Sequence, residues 1–172
     1  NSFLDKEAVG RIEYMRNNDP SFWTIFGLGE WGEIKGLIYN NWKTTKEMTE
    51  SYDWRFFGLD FGFTNDPSSL IEIRKSGQHI YIQEHIYQTG LTNYDLIDKM
   101  VQIGIVDAII YADSAEPKSI VEINKTKKAR DNRIRLVPCT KGRDSVKHGI
   151  NLVQQQNLLI HQDSHNIMKE IR

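Results

Sequence analysis

Three runs of β-forming residues follow one another in the middle of the chain, separated only by short polar gaps. They cover residues 54–60, 69–74 and 79–87. The second gap contains Ser76-Gly77, and a glycine-containing turn this short joins antiparallel strands. The three runs therefore predict an antiparallel meander.

Helical and strand patterns alternate after this meander. Thr92 and Asp95 resemble a capping box, and Pro117 suits the first turn of a second helix. The pattern predicts strands at 107–113, 133–138 and 158–161, and helices that start near residues 93, 117, 146 and 165. Strand-helix-strand units close right-handed with parallel strands, so the strand at 107–113 can lie beside the first strand. We expect an α/β fold with a mixed sheet, three antiparallel strands followed by parallel strands, flanked by helices.

Two of the predicted strands end in an aspartate, Asp60 in the first and Asp113 in the fourth. An ionised carboxylate in an apolar strand is costly unless it is paired or bound to a metal. Ligands of such sheets bind beyond the carboxyl ends of the strands, where both aspartates would lie. We therefore expect Asp60 and Asp113 to be catalytic residues and the ligands of a divalent metal ion.

The first 50 residues have a different texture. Leu4, Ala8, Ile12 and Met15 recur at helical spacing, and the glycine-rich stretch 27–32 fits a linker. We expect residues 1–50 to be a helical N-terminal extension and linker, and residues 51–172 to be the folded domain. The chain starts on Asn1 without an initiator Met, so we also expect it to be a piece of a longer protein.

Composition limits the environment of the protein. Cys139 is the only cysteine, which excludes an internal disulfide and a cysteine-based zinc cage. No apolar run approaches the ~20 residues that cross a bilayer, so we expect a soluble intracellular protein that does not contact membranes.

Positive charge is concentrated in one segment. Residues 118–147 carry ten basic and three acidic residues, although the whole chain has a net charge of −1. Four cations lie near the predicted metal site in this topology, and we expect some of them to contact nucleic-acid phosphates: Lys118, Lys141, Arg143 and Lys147. The cluster 125–135 lies farther along the chain and fits a solvated loop.

Several separated motifs resemble one protein family. The segments 58–67 (GLDFGFTNDP), 111–118 (YADSAEPK) and 141–145 (KGRDS) resemble the nuclease domain of bacteriophage terminase large subunits. The segments 27–32 and 36–39 look like the join between the ATPase and nuclease domains of that family. The resemblance implies a ribonuclease H-like fold and a metal-dependent endonuclease that cuts concatemeric viral double-stranded DNA during packaging in the host cell cytoplasm. It also implies the terminase small subunit and the portal as partners.

The resemblance assigns the metal ligands residue by residue. The family's first-strand and fourth-strand acids correspond to Asp60 and Asp113, and its third acid follows a His-x-x-Asp pattern further downstream. No such pattern occurs before Arg172, so we expect a nuclease domain truncated at its C-terminus, weak or inactive unless the third acid is restored. Asp163 is a conceivable substitute, although its position before Ser164 fits a helix cap better.

Phosphodiester chemistry accounts for the acids independently. Two Mg²⁺ or Mn²⁺ ions ~4 Å apart activate a water and stabilise the leaving oxygen, and hard cations prefer carboxylate ligands. We expect Asp60 to bridge the two ions and Asp113 to hold one. Glu116 and Asp66 are candidates for supporting roles, and a turn or capping role explains Asp66 equally well.

Other functions remain open at this point. The segment 60–64 also matches the D-x-G-x-T phosphate loop of actin-like ATPases, but the second domain and second phosphate loop of those proteins have no counterpart. Asp60-Phe61-Gly62 lacks the companion motifs of a protein kinase. A non-catalytic DNA-binding or motor-docking fragment is a further alternative, as is another ribonuclease H-like nuclease of the transposase or resolvase type.

Overall fold

The structure, a computed structural model, describes residues 38–140, 142 and 144–171. The chain divides into two compact units, Asn1–Ile38 and Tyr39–Arg172. All elements described below belong to the second unit. The predicted N-terminal helix and the glycine-rich linker lie outside the described residues.

The described part of the second unit contains one mixed sheet. Its strands are β1 (Trp42–Thr45), β2 (Trp54–Asp60), β3 (Ser68–Ser76), β4 (His79–Gln88), β5 (Ala108–Ala112), β6 (Ile134–Pro138) and β7 (Asn157–His161). Their spatial order is β1-β7-β4-β3-β2-β5-β6. Strand β3 is antiparallel to β2 and β4, whereas the other neighbouring pairs are parallel. The predicted α/β mixed sheet, including the parallel contact of the first and fourth predicted strands, is confirmed.

The helices alternate with the later strands. They are α1 (Asn93–Gln102), α2 (Pro117–Lys125), α3 (Lys127–Asp131), α4 (Ser145–Gln154) and α5 (His165–Glu170). The predicted capping box is present, since the Thr92 side chain accepts from Asp95 N and the Asp95 carboxylate accepts from Thr92 N. The Thr92 hydroxyl also donates to the Asp95 carboxylate, and this hydrogen bond, with the one from Thr92 N, lowers the pKa of Asp95. Within the described residues, no helix is long and apolar enough to cross a membrane.

The main core lies between one face of the sheet and helices α1 to α3. Phe57, Leu70 and Ile110 are buried from the sheet side, and Met100 and Ile123 are buried from the helices. Because side chains alternate along a strand, the intervening residues of β5, Ile109 and Tyr111, point to the opposite face and are exposed. One face of β5 therefore packs against the helices and the other faces solvent.

The sequence patterns did not predict two elements, β1 and α3. Strand β1 has the polar sequence Trp-Lys-Thr-Thr and lies in the segment interpreted as a linker. It becomes a strand because it pairs with β7, far away in sequence, which no local pattern reveals. Helix α3 is only five residues long. Its N-terminus is capped by the Thr126 hydroxyl, which accepts a hydrogen bond from Ala129 N at 3.1 Å.

Candidate active site

Asp60 is the last residue of β2, at the carboxyl end of the strand. Its backbone is opposite Ser69 of β3, and the preceding residue, Leu59, is in register with Ala112 of β5. The Asp60 side chain is exposed to solvent, whereas Leu59 is buried in the core. The alternation of β2 therefore turns this carboxylate away from the apolar core.

Asp113 directly follows the last residue of β5. Because Ala112 is the register partner of Leu59, Asp113 and Asp60 each follow one member of the same strand pair. Neighbouring strands lie ~4.8 Å apart, so the backbones of Asp60 and Asp113 lie next to each other at the carboxyl ends of β2 and β5. The Asp113 carboxylate accepts a hydrogen bond from Ala115 N at 3.0 Å, which shapes the turn into α2.

The loop after Asp60 is tightly folded around Gly62. The buried Ser68 hydroxyl accepts from Gly62 N at 3.2 Å and donates to Gly62 O at 2.8 Å. A Cβ on Gly62 would lie 2.2 Å from the carbonyl oxygen of Asp66, so no other residue fits there without movement of the loop. A third contact, from Gly90 N to Phe63 O at 2.7 Å, ties the loop to the start of the next segment.

A cavity of about 770 Å³ opens beside this loop. Asp66 and Glu116 both line it, together with Glu122 from α2. Glu122 accepts a hydrogen bond from Asn93 at 2.6 Å, and Glu116 accepts one from Ser119 at 3.4 Å. Glu116 is the N-cap residue of α2, although its side chain makes no capping hydrogen bond. The two candidates for supporting roles thus share one acidic cavity next to the Asp60 loop.

Comparison with known families agrees with this architecture. The family model described as Terminase RNAseH like domain matches residues 60–170. The chain belongs to this terminase family. The described sheet is accordingly that of a terminase ribonuclease H-like domain.

Two relatives show how far the likeness of this terminase domain extends. The PBSX phage terminase large subunit of Bacillus subtilis (strain 168) is 25% identical over 130 residues, which cover 70% of this chain and 30% of that protein. The chain therefore spans about 30% of the length of this curated relative. The crystal structure of the g2p (large terminase) nuclease domain of bacteriophage SPP1, with bound Mn, has a TM-score of 0.63 and 26% identity, covering 77% of this chain and 78% of that one.

The donor set of the terminase domain suits a hard cation in part. Asp60 and Asp113 offer carboxylate oxygens, the ligands that Mg²⁺ and Mn²⁺ prefer. Within the residues that the structure describes, no three His, Cys, Asp or Glu side chains form a group able to hold a metal ion. The two strand-end aspartates thus fit part of the coordination shell of such a cation.

The predicted DNA-contacting residues are only partly described. Lys118 is exposed as the second residue of α2, five residues after Asp113, and Lys147 is exposed in α4. Lys141 and Arg143 lie outside the described residues. For these four cations, contact with DNA stays a prediction.

A buried charge cluster was missed by the sequence interpretation. Glu72 of β3 is 2% exposed, and its carboxylate accepts from Arg55 Nε and Arg74 Nε, both at 2.6 Å, and lies 2.8 Å from His85 Nε2. Burial alone would raise the pKa of Glu72, but the hydrogen bonds of His85, Arg74 and Arg55 outweigh it and lower the pKa to about 2. The signal was present, since Glu72 follows buried Leu70 by two residues and must face the same side of the sheet.

Proposed function

We propose that this terminase domain is a divalent-metal-dependent DNA endonuclease that cuts concatemeric viral double-stranded DNA during genome packaging. The observation that carries the proposal is the parallel pairing of β2 with β5, which brings Asp60 and Asp113 to the same edge of the sheet. Mn in the crystal structure of the SPP1 nuclease domain supports a divalent cation, Mg²⁺ or Mn²⁺, as the cofactor. We propose two such ions per site.

In this proposal Asp60 and Asp113 are the protein ligands of the cations. When bound, the cations supply positive charge to the phosphodiester and lower the pKa of a water molecule. Asp60 is suited to this role because its side chain is exposed to solvent at the carboxyl end of β2.

The neighbouring residues would position these ligands and the substrate. The two hydrogen bonds between Ser68 and Gly62 hold the backbone that follows Asp60. Asp66 and Glu116 would accept hydrogen bonds from water in the adjoining cavity. We propose that Lys118, Lys141, Arg143 and Lys147 contact the DNA backbone, because phosphate contacts position a duplex without reading its sequence.

The wider setting follows from the family. The PBSX relative is a terminase large subunit, and this chain spans only part of its length. We propose the terminase small subunit and the portal as partners of the parent protein, and the host cell cytoplasm as its location. Double-stranded DNA is the proposed substrate of the domain itself.

The test replaces the first aspartate by its amide. Asp60→Asn removes the charge but keeps the side-chain shape, so we expect Mn²⁺ affinity to fall at least tenfold, because a charged oxygen ligand is lost. Isothermal titration with Mn²⁺ measures the binding, and nicking of supercoiled plasmid across a Mn²⁺ series measures the activity. We expect the nicking to disappear in this variant.

The matched control makes the same carboxylate-to-amide change elsewhere. Glu50→Gln alters an exposed residue in the segment before β2, at the opposite end of that strand from Asp60. It should leave Mn²⁺ binding and nicking unchanged. Full activity in Asp60→Asn, or Mn²⁺ affinity that is equal in Asp60→Asn and the unchanged chain, would contradict the nuclease proposal.

A further inference from the structure

Helix α2 leads away from the carboxyl ends of β2 and β5, the aspartate edge, which carries Asp60 and Asp113. It leads towards the basic first turn of α3. It begins at Pro117, four residues after Asp113, and ends at Lys125, with Thr126 alone between it and α3. A helix of nine residues is ~13 Å long. The chain therefore carries a rigid element from the candidate active site to the start of α3.

One side of α2 is exposed and slightly concave. Lys118, Val121, Glu122 and Lys125 line a shallow depression of about 530 Å³ together with Pro117. A second depression, of about 640 Å³, continues from it, since Glu122 and Lys125 line both. The remaining lining of the second depression includes Lys127 and Lys128 of α3.

The lysines along this surface differ in whether a carboxylate forms an ion pair with them. Lys128 forms an ion pair with Asp98 at 2.5 Å. Within the part of the chain that the structure describes, Lys118, Lys125 and Lys127 have no carboxylate at ion-pair distance. Glu122, which lies between them, already accepts a hydrogen bond from Asn93. Apart from the pair of Lys128 and Asp98, the described surface therefore carries three lysines without an ion-pair partner and one carboxylate, a net charge of +2.

We infer that the exposed side of α2 and the first turn of α3 form a track for the DNA backbone, with Lys118, Lys125 and Lys127 as its phosphate contacts. The inference rests on the proposed function and adds to it the direction in which the duplex leaves the aspartate edge. It gives Lys125 and Lys127, which the sequence interpretation assigned to a solvated loop, a role in binding.

The spacing of the lysines suits a duplex. Lys118 and Lys125 are seven residues apart on one helix, which corresponds to ~10 Å along the axis. This distance spans about three base pairs at 3.4 Å each. Flexible lysine side chains act as point charges and need no fixed geometry, so contacts of this kind are independent of base sequence. Val121, which is exposed between the lysines, leaves this surface open to the DNA backbone.

The test measures the salt dependence of binding. The triple variant Lys118→Ala, Lys125→Ala, Lys127→Ala removes three charges from the track. Fluorescence anisotropy of a labelled 30-base-pair duplex, in EDTA and over a KCl series, should show a slope of log K against log salt that is smaller by roughly 2.7 units, because each phosphate contact contributes about 0.9. Affinity at low salt should fall at least tenfold.

The control variant removes the same charge from other surfaces. Lys43, Lys46 and Lys169 are exposed in β1, in the turn after β1 and in α5. Their triple alanine variant should keep the slope of the unchanged protein, and a thermal melt of each variant checks folding. Equal slopes in the track and control variants would overturn the inference.

The assay in EDTA separates this inference from the proposed function. Binding without metal does not require the aspartate site, so Asp60→Asn should keep the full salt slope while it loses Mn²⁺-dependent nicking. If the track variant keeps the full slope while Asp60→Asn loses nicking, the track is wrong and the nuclease proposal stands. If the track variant loses slope while Asp60→Asn still nicks, the aspartate assignment is wrong and the track stands.

Discussion

At the scale of single residues, Glu72 shows how a buried charge is tolerated in this sheet. A buried carboxylate that loses its partners is strongly destabilising, but here Arg55, Arg74 and His85 all contact it. Arg74 also donates from Nη1 to Thr49 O at 2.8 Å, so the cluster holds the chain segment between β1 and β2. The cluster thus links the centre of the sheet to the connection that crosses from its edge.

The lowered pKa of Glu72 predicts a pH-dependent stability. The folded protein holds this pKa at about 2, below the ordinary value of 4.5. The ionised carboxylate therefore stabilises the fold fully above pH ~4.5, and this contribution is lost as the pH falls towards 2. At neutral pH the ionised carboxylate contributes on the order of 3 kcal/mol to the free energy of unfolding.

The test of this prediction is Glu72→Gln. At pH 7 the free energy of unfolding should fall by on the order of 3 kcal/mol, and the difference from the unchanged protein should shrink between pH 4.5 and pH 2.5. Urea denaturation followed by circular dichroism at several pH values measures it. Glu47→Gln, an exposed carboxylate in the same connection, serves as control and should change little. A difference that stays constant down to pH 2.5 would refute the assigned cause.

At the scale of elements, Asn124 of α2 completes the hydrogen bonding of β6. Strand β6 is the last strand on one side of the described sheet. Asn124 Oδ1 accepts from Leu136 N at 2.8 Å, and Asn124 Nδ2 donates to Leu136 O at 2.9 Å. The side-chain amide thus imitates a neighbouring strand at one position, and a sheet edge with satisfied backbone groups is less prone to pair with other chains.

Replacement of Asn124 should therefore weaken both elements. Asn124→Ala leaves the N–H and C=O of Leu136 without this partner, and we expect a loss of roughly 1–3 kcal/mol in the free energy of unfolding. Hydrogen exchange should become faster at Leu136 in particular. The matched control is Asn151→Ala, which removes an exposed amide from α4. Unchanged exchange at Leu136 in Asn124→Ala would show that the side-chain bridge is unimportant.

The elements also show which parts of the fold were predictable. Strands β2 to β4 and the capping box of α1 were predicted because alternation and turn chemistry are local. Strand β1 was not, because its pairing with β7 depends on residues more than a hundred positions away. At the site, the strand-end positions of Asp60 and Asp113 followed from pattern and topology. The Ser68 hydroxyl did not, because its partner, Gly62, comes close only through the fold of the loop.

At the scale of the whole molecule, Asn41 joins the first strand of the unit to its last third. Its amide nitrogen donates to Gln156 O at 2.5 Å, just after α4, and lies within hydrogen-bond distance of Val153 O (2.9 Å) and Gln154 O (3.3 Å) at the C-terminal end of α4. The final carbonyls of a helix lack partners within the helix. Asn41, 112 positions before Val153 in the chain, supplies the hydrogen-bond donor for these carbonyls.

Two substitutions test this long-range contact. Asn41→Ala removes the donors and should lower the free energy of unfolding by roughly 1–2 kcal/mol. Asn41→Asp should be worse, because it places a carboxylate against carbonyl oxygens and provides no donor. Thermal melts rank the variants, and amide exchange in β1 and at the end of α4 should accelerate together. Acceleration at only one of these places would argue against a direct link between them.

The position of β1 in the sheet also determines when it can fold during synthesis. Strand β1 leaves the ribosome before every other strand of the described sheet, but its neighbour β7 is the last to appear. The meander of β2 to β4 and the later strands β5 and β6 can associate while β1 still has no strand to pair with. The residues of β1 are therefore synthesised before those of every other strand of the described sheet, but they can pair only after β7 has been synthesised.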